Sequence, residues 1–167
     1  MRFRWNPGAE PVTAARPLPM TSNVRTRVLI IDDDAAVGRL LKLNLEDQGR
    51  YAVQVEHLGS HGVAAARRFK PDLILLDLVM PDRSGLAVAH ELEGEPNLRD
   101  VPVIFISAMA VGNRLADLRD APRFRPVIAK PIRTQELLQC IESSLAPREL
   151  ARAGALRTGA VPGCESS

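Results

Sequence analysis

Residues 73–76 read LILL and run directly into Asp77. A run of Leu and Ile with no polar alternation fits a strand buried on both faces, as in a parallel sheet with helices over each side. Similar short runs occupy residues 28–31, 51–55, 101–106 and 127–129. Between them, apolar residues recur at helical intervals: Val37, Leu40, Leu41 and Leu45, then residues 63–69, then 86–92, then Leu115 and Leu118. Leu137, Leu138, Ile141 and Leu145 follow the last run. Five strands alternating with five helices predict an α/β fold built on one parallel sheet.

The flanking residues support these boundaries. Asp34, Ser84 and Thr134 each stand just ahead of a helical stretch, as N-caps for the first, third and fifth helices. Pro71 separates the second helix from the third strand. The fourth helix is the weakest, with Gly112 and Asn113 near its start and Pro122 soon after. The predicted division is therefore an N-terminal arm over residues 1–25, one folded domain over 26–146 and a tail over 147–167. Both ends lack the periodic apolar residues that could bury a face and are expected to be disordered. Met20 opens MTSNVRTRVLI close to the first strand, so translation is expected to start there rather than at Met1.

Composition narrows the function. Hydrophobic residues make up 46% and charged residues 25%, the balance of a soluble globular protein. No apolar run approaches the roughly 18 residues of a membrane span, and the N-terminus has no apolar signal core, so a cytoplasmic protein is expected. Residues 26–145 carry 15 basic and 17 acidic side chains, a net of −2, while the arm and tail together carry +4. That distribution argues against direct nucleic-acid binding. Cys140 and Cys164 fit neither a disulfide framework nor a metal spacing. His57, His61 and His90 are expected to be surface residues.

The polar residues at the carboxyl ends of the strands set the chemistry, because ligands of open parallel sheets gather along that edge. The first strand runs into Asp32, Asp33 and Asp34, the third into Asp77, the fourth ends at Ser107, and the fifth at Lys130 before Pro131. Clustered carboxylates repel one another unless a cation sits among them, and short Asp side chains suit a hard ion such as Mg²⁺. A lysine can neutralise a phosphoryl oxygen and a serine hydroxyl can donate to another. The set predicts phosphoryl transfer, with Asp77 as nucleophile.

The stretches VLIIDDD, PDLILLDLVMPDRSG, VPVIFISA and VIAKPI resemble the receiver domain of two-component response regulators. The spacings fit as well, with 44 residues from Asp33 to Asp77, 30 on to Ser107 and 23 on to Lys130. The resemblance covers residues 27–145 and implies the flavodoxin-like receiver fold, a doubly wound five-stranded sheet in the order 2-1-3-4-5. It implies that Asp77 is the phosphoacceptor, and that Asp32, Asp33 and the backbone carbonyl of Val79 join Asp77 in holding Mg²⁺. Ser107 is the implied switch hydroxyl and Lys130 the phosphate-pairing lysine, with a cis bond to Pro131. Many receivers carry an aromatic ring where this chain has Val127, and Phe124 does not take its place. Val79 and Met109 occupy positions that modulate dephosphorylation in the family, and both are apolar, which implies slow loss of the phosphoryl group.

The implied function is that of a stand-alone receiver, not an enzyme in its own right, that assists its own Mg²⁺-dependent phosphorylation. Its phosphoryl group comes from a histidine kinase or a histidine phosphotransfer protein, its output goes to a downstream protein target, and a homodimer formed on phosphorylation remains open. A phosphorylation-independent scaffold on the same fold is the alternative. A haloacid-dehalogenase-like phosphatase would need a further acidic pair on a later strand, and after Lys130 the acidic residues are Glu136, Glu142, Glu149 and Glu165.

Overall fold

A computed structural model describes residues 25–108 and 127–158, the stretch 147–158 by its backbone alone. In chain order the elements are β1 (Thr26–Ile31), α1 (Ala35–Glu46), β2 (Tyr51–Glu56), α2 (Gly59–Phe69), β3 (Leu73–Asp77), α3 (Gly85–Gly94), β4 (Val103–Ser107), β5 (Val127–Ala129) and α4 (Thr134–Thr158). All four strand pairings are parallel, in the order β2-β1-β3-β4-β5. The sheet and its order agree with the sequence expectation. The helix expected around Leu115 and Leu118 lies outside the described residues, as do Met20, Met109, Phe124 and Cys164.

Alternation along each strand divides the core in two, since successive side chains point to opposite faces. Leu29, Ile31, Ile74, Leu76, Val103 and Phe105 pack with Ala65, Ala66, Val88, Ala89 and Leu92 of α2 and α3. Val28, Ile30, Leu73, Leu75, Ile104, Ile106 and Ile128 pack on the other face with Leu41 and Leu45 of α1 and Leu137, Ile141 and Leu145 of α4. Residues 73–76 have no exposed surface at all, which explains their uniform apolar sequence. Each such side chain contributes about 1.5–3 kcal/mol by leaving water. Together they fix where the next residue, Asp77, emerges.

Two caps form as expected. Asp34 Oδ1 accepts from the N–H groups of Ala36 and Val37 at 2.9 and 3.2 Å, and Ser84 Oγ accepts from Ala87 N–H at 3.3 Å. Thr134 does otherwise: it is the first residue of α4, and its hydroxyl lies 3.3 Å from Asn44 Nδ2, tying α4 to α1. The helix also continues through residues 147–158, which the sequence expectation placed in a disordered tail. That expectation rested on the lack of a periodic apolar face, whereas the residues after Pro147, RELARAGALRT, are mostly strong helix formers. At the other end of the domain, Lys70 adopts φ 51 and closes α2 in the left-handed region just before Pro71. No helix among the described residues is long and apolar enough to cross a membrane.

Candidate functional site

The register of the sheet assembles the site. Ile31 pairs with Leu76, so Asp32 follows one strand end as Asp77 forms the other. Asp77 pairs with Ile106, which places Ser107 one step beyond, and Ser107 pairs with Ala129, which places Lys130 one step beyond that. Four strands thus deliver their polar residues to one edge. Asp32, Asp77 and Ser107 are the buried polar residues of the described chain.

Lys130 bridges two of the carboxylates. Its Nζ donates to Asp77 Oδ2 at 2.6 Å and lies 2.9 Å from Asp32 Oδ2. Asp77 Oδ1 accepts from Val79 N–H at 3.0 Å, and Asp32 Oδ1 from Asp34 N–H at 2.9 Å, so the loops that follow each strand hold the carboxylates in place. Lys130 is held in turn through its own N–H, which donates to the carbonyl of Ser107 at 2.9 Å, and the Lys130–Pro131 bond is cis as the resemblance implied. Gly85 makes the turn into α3 fit: a Cβ there would stand 2.1 Å from the carbonyl oxygen of Asp77.

Charge at the site is unbalanced. Carboxylate oxygens of Asp32, Asp33 and Asp77 lie within 4.8 Å of one another, and among the described residues three carboxylates against one ammonium leave a net of −2. Burial pushes the Asp32 carboxyl above its ordinary range, with the Lys130 ammonium and the Asp34 N–H acting in the opposite direction. Burial also works against the charge on Lys130, but its contacts with Asp77 and Asp32 outweigh it and raise its pKa. Asp32 Oδ2 is fully buried and has the Lys130 ammonium at 2.9 Å as its counter-charge, a contact outside strict hydrogen-bond geometry. An all-oxygen cluster with a net of −2 fits a hard divalent cation such as Mg²⁺.

The sequence-derived residues Asp32, Asp33, Asp77, Ser107 and Lys130 are thus brought to one edge, with Val79 beside Asp77 and 47% exposed. Val127 is half-buried against the core on the α2–α3 side. The three histidines are exposed as expected, but His57 has a contact the sequence did not signal: its Nδ1 lies 3.1 Å from the backbone carbonyl of Asp32. Asp82 was also missed. It reaches from the β3–α3 loop to the first turn of α2, where Leu58 at the N-cap has no side-chain acceptor to offer. That incapable Leu58 was the available signal, because the donors of a helix start must find acceptors somewhere.

Known proteins share both the sequence pattern and the fold. Protein PilH of Pseudomonas aeruginosa is 31% identical over 125 residues, covering 72% of this chain and 98% of that protein. The DNA-binding dual master transcriptional regulator RpaA of Synechocystis is 42% identical over 83 residues, covering 50% of this chain. The match spans only 34% of that regulator. The crystal structure of a CheY-like response regulator receiver domain protein from Methanospirillum hungatei is similar with a TM-score of 0.69 at 25% identity, covering 76% of this chain and 98% of that one. Residues 28–142 match the model of the response regulator receiver domain, a span that holds every residue of the acidic edge and its lysine, and the chain belongs to that family.

Proposed function

We propose that Asp77 accepts a phosphoryl group from the phosphohistidine of a histidine kinase or a phosphotransfer protein, and that the resulting acyl phosphate alters the chain's contacts with a downstream protein. The observation that carries this reading is the Lys130 ammonium at 2.6 Å from Asp77 and 2.9 Å from Asp32, on an edge that also holds Asp33. A carboxylate oxygen of Asp77 attacks phosphorus, the P–N bond breaks, and the imidazole leaves with the bonding pair. Asp77 enters this step already oriented by Val79 N–H and Lys130.

Asp32, Asp33, Asp77 and the carbonyl of Val79 would hold Mg²⁺, which when bound supplies positive charge to the oxygens of the transferred group. Lys130 can shift part of its charge from Asp77 to a phosphoryl oxygen, and the Ser107 hydroxyl at the end of β4 can donate to another. Val127 supplies no aromatic ring to report the change, so the response runs through Ser107 and the β4–β5 edge. The chain is then a cytoplasmic signalling module that assists its own modification and works through protein contacts.

Incubation with Mg²⁺ and acetyl phosphate, followed by intact-mass measurement, tests the reading. A gain of one phosphoryl group in the wild type and none in Asp77→Ala is the expected result. No gain in the wild type, or a gain that persists in Asp77→Ala, sinks it.

A further inference from the structure

The start of α2 is satisfied from outside the helix. Leu58 has the extended N-cap conformation, φ −117 and ψ 123, with a side chain that cannot accept a hydrogen bond. Two carboxylates supply the acceptors. Glu56 Oε1 takes the N–H groups of His57 and Leu58 at 3.0 and 3.2 Å, while Asp82 takes Gly59 through Oδ1 at 3.2 Å and Ser60 through Oδ2 at 2.8 Å. The next donor, His61 N–H, closes on the carbonyl of Leu58 at 3.0 Å. Both acidic side chains also stand at the positive end of the helix dipole.

Glu56 is local to that turn, but Asp82 is not. It belongs to the segment that leaves Asp77, and this segment carries Val79. One end of the segment is fixed by Val79 N–H on Asp77 Oδ1, and the return into α3 by Gly85 N–H on the carbonyl of Leu78 at 3.0 Å. Between them, Asp82 anchors the outer part of the loop to α2. Gly59 lets the helix start lie close against it: a Cβ there would meet Met80 Cε at 2.8 Å and the carbonyl of Arg83 at 3.1 Å.

We propose that Asp82 is a positioning residue for the metal end of the site: in capping α2 it holds the segment that presents the Val79 carbonyl. The inference rests on the reading of the acidic edge as a Mg²⁺ site. Mg²⁺ affinity and the stability of the α2 start are then coupled, and the coupling is reciprocal. Asp82 touches neither the metal nor the transferred group and acts through the backbone between them.

A local cap separates positioning from simple capping. Asp82→Ala removes both roles, and adding Leu58→Asn returns a cap to α2 without returning the tie to the loop. Thermal unfolding in EDTA and calorimetric titration with MgCl₂ read the two roles apart. Asp82→Ala is expected to lower Tm and to weaken the Mg²⁺ Kd by about tenfold, the low end of what supports of metal ligands provide. The double variant is expected to regain Tm and keep the weakened Kd. A wild-type Kd in Asp82→Ala, or a Kd restored together with Tm in the double variant, overturns the proposal. Should Asp82→Ala not fold, Asp82→Asn keeps one acceptor oxygen where two are used, and an intermediate Kd is expected; a wild-type Kd there counts against the proposal. Failure of the wild type to bind Mg²⁺ removes the reading of the site itself, whereas binding that ignores Asp82 removes this inference alone.

Discussion

Lys130→Met takes out the one cation that the described residues place at the acidic edge, while keeping an unbranched apolar stem. At 2.6 and 2.9 Å each contact carries a gross attraction of about 6 kcal/mol at an effective dielectric of ~20. Desolvation offsets most of that, and removing one partner of a buried pair costs about 3–5 kcal/mol net. The lysine side chain is 18% exposed, so water replaces part of what is lost and the lower end, about 3 kcal/mol, applies. For a domain of this size that is a fall of about 10 °C in Tm.

The same substitution should have the opposite effect on metal binding. Without the ammonium, three carboxylates leave the cluster at −3 instead of −2. Mg²⁺ should then bind more tightly and raise Tm by more than it does in the wild type. Phosphorylation by acetyl phosphate should nevertheless fall by about a hundredfold, because the charge that meets the transferred group is gone. A global loss of structure would weaken metal binding and phosphorylation together, so the split is diagnostic. The pH dependence also has a sign. Lys130 has a raised pKa in the fold, so its stabilisation is complete below its ordinary value of 10.5 and is lost as pH rises through the folded value. Toward acid the gap between wild type and variant should narrow, because Asp32, whose charge burial already disfavours, takes up a proton more readily once the ammonium is gone. Circular-dichroism melts in EDTA and in MgCl₂ measure both effects. An unchanged Tm in EDTA, or no larger gain from Mg²⁺ in the variant, would refute the electrostatic argument.

Asp32→Asn leaves Lys130 paired with Asp77 and removes a carboxylate whose charge burial disfavours, so it should stabilise the protein in EDTA by about 1 kcal/mol and abolish Mg²⁺ binding. Burial raises the pKa of Asp32, so its penalty is present above the folded pKa and vanishes as pH falls; urea unfolding at neutral and acidic pH should show the advantage of the variant shrinking. Val79→Asn with Met109→Glu should speed loss of the phosphoryl group by at least about tenfold, Val79→Asn by giving a water a polar partner next to Asp77; an unchanged decay, followed by intact mass, removes the argument. Gly85→Ala should cost about 3 kcal/mol in urea unfolding or prevent folding, because its Cβ meets the backbone of Asp77 and Leu78 rather than side chains that can yield. The Asp82 carboxyl is held below its ordinary range chiefly by Ser60 N–H, so its stabilisation exists above the ordinary value of 3.8 and is lost as pH falls through the folded one; the Tm gap between wild type and Asp82→Ala should close there.

What could be read from the sequence depended on how local its cause was. Residues 73–76 are apolar because both sheet faces are covered, and that cause acts at each position, so the strand and its rim carboxylate were legible. The same holds for the Asp34 and Ser84 caps, whose acceptors lie within three residues of their donors. The start of α2 was not, because its acceptors come partly from Asp82, more than twenty positions away. The reach of α4 was not legible for another reason: the residues beyond Pro147 offer no apolar periodicity, and their helix propensity carries the backbone on to Thr158. Convergence of Asp32, Asp77, Ser107 and Lys130 on one edge was inferable from parallel strands. The sharing of one ammonium between Asp77 and Asp32 was not, because it depends on the register between neighbouring strands.

That shared ammonium determines what phosphorylation can change. Lys130 is the cation placed against both Asp32 and Asp77, and its backbone N–H is bonded to Ser107 at the end of β4. A phosphoryl group on Asp77 brings about −1.5 to −2 of charge into a site that is already short of positive charge. It must therefore compete with Asp32 for Lys130. Any movement of the ammonium toward it loads β5 and, through the Ser107 carbonyl, β4. Asp32 loses neutralisation as Lys130 turns, which makes a divalent cation beside it more favourable in the phosphorylated state than before. Metal and phosphoryl group then favour the same rearrangement. The coupling has a direct check: Mg²⁺ should bind a stable acyl-phosphate mimic such as the beryllofluoride adduct of Asp77 more tightly than the free protein, and equal affinities would show that Lys130 does not change partners.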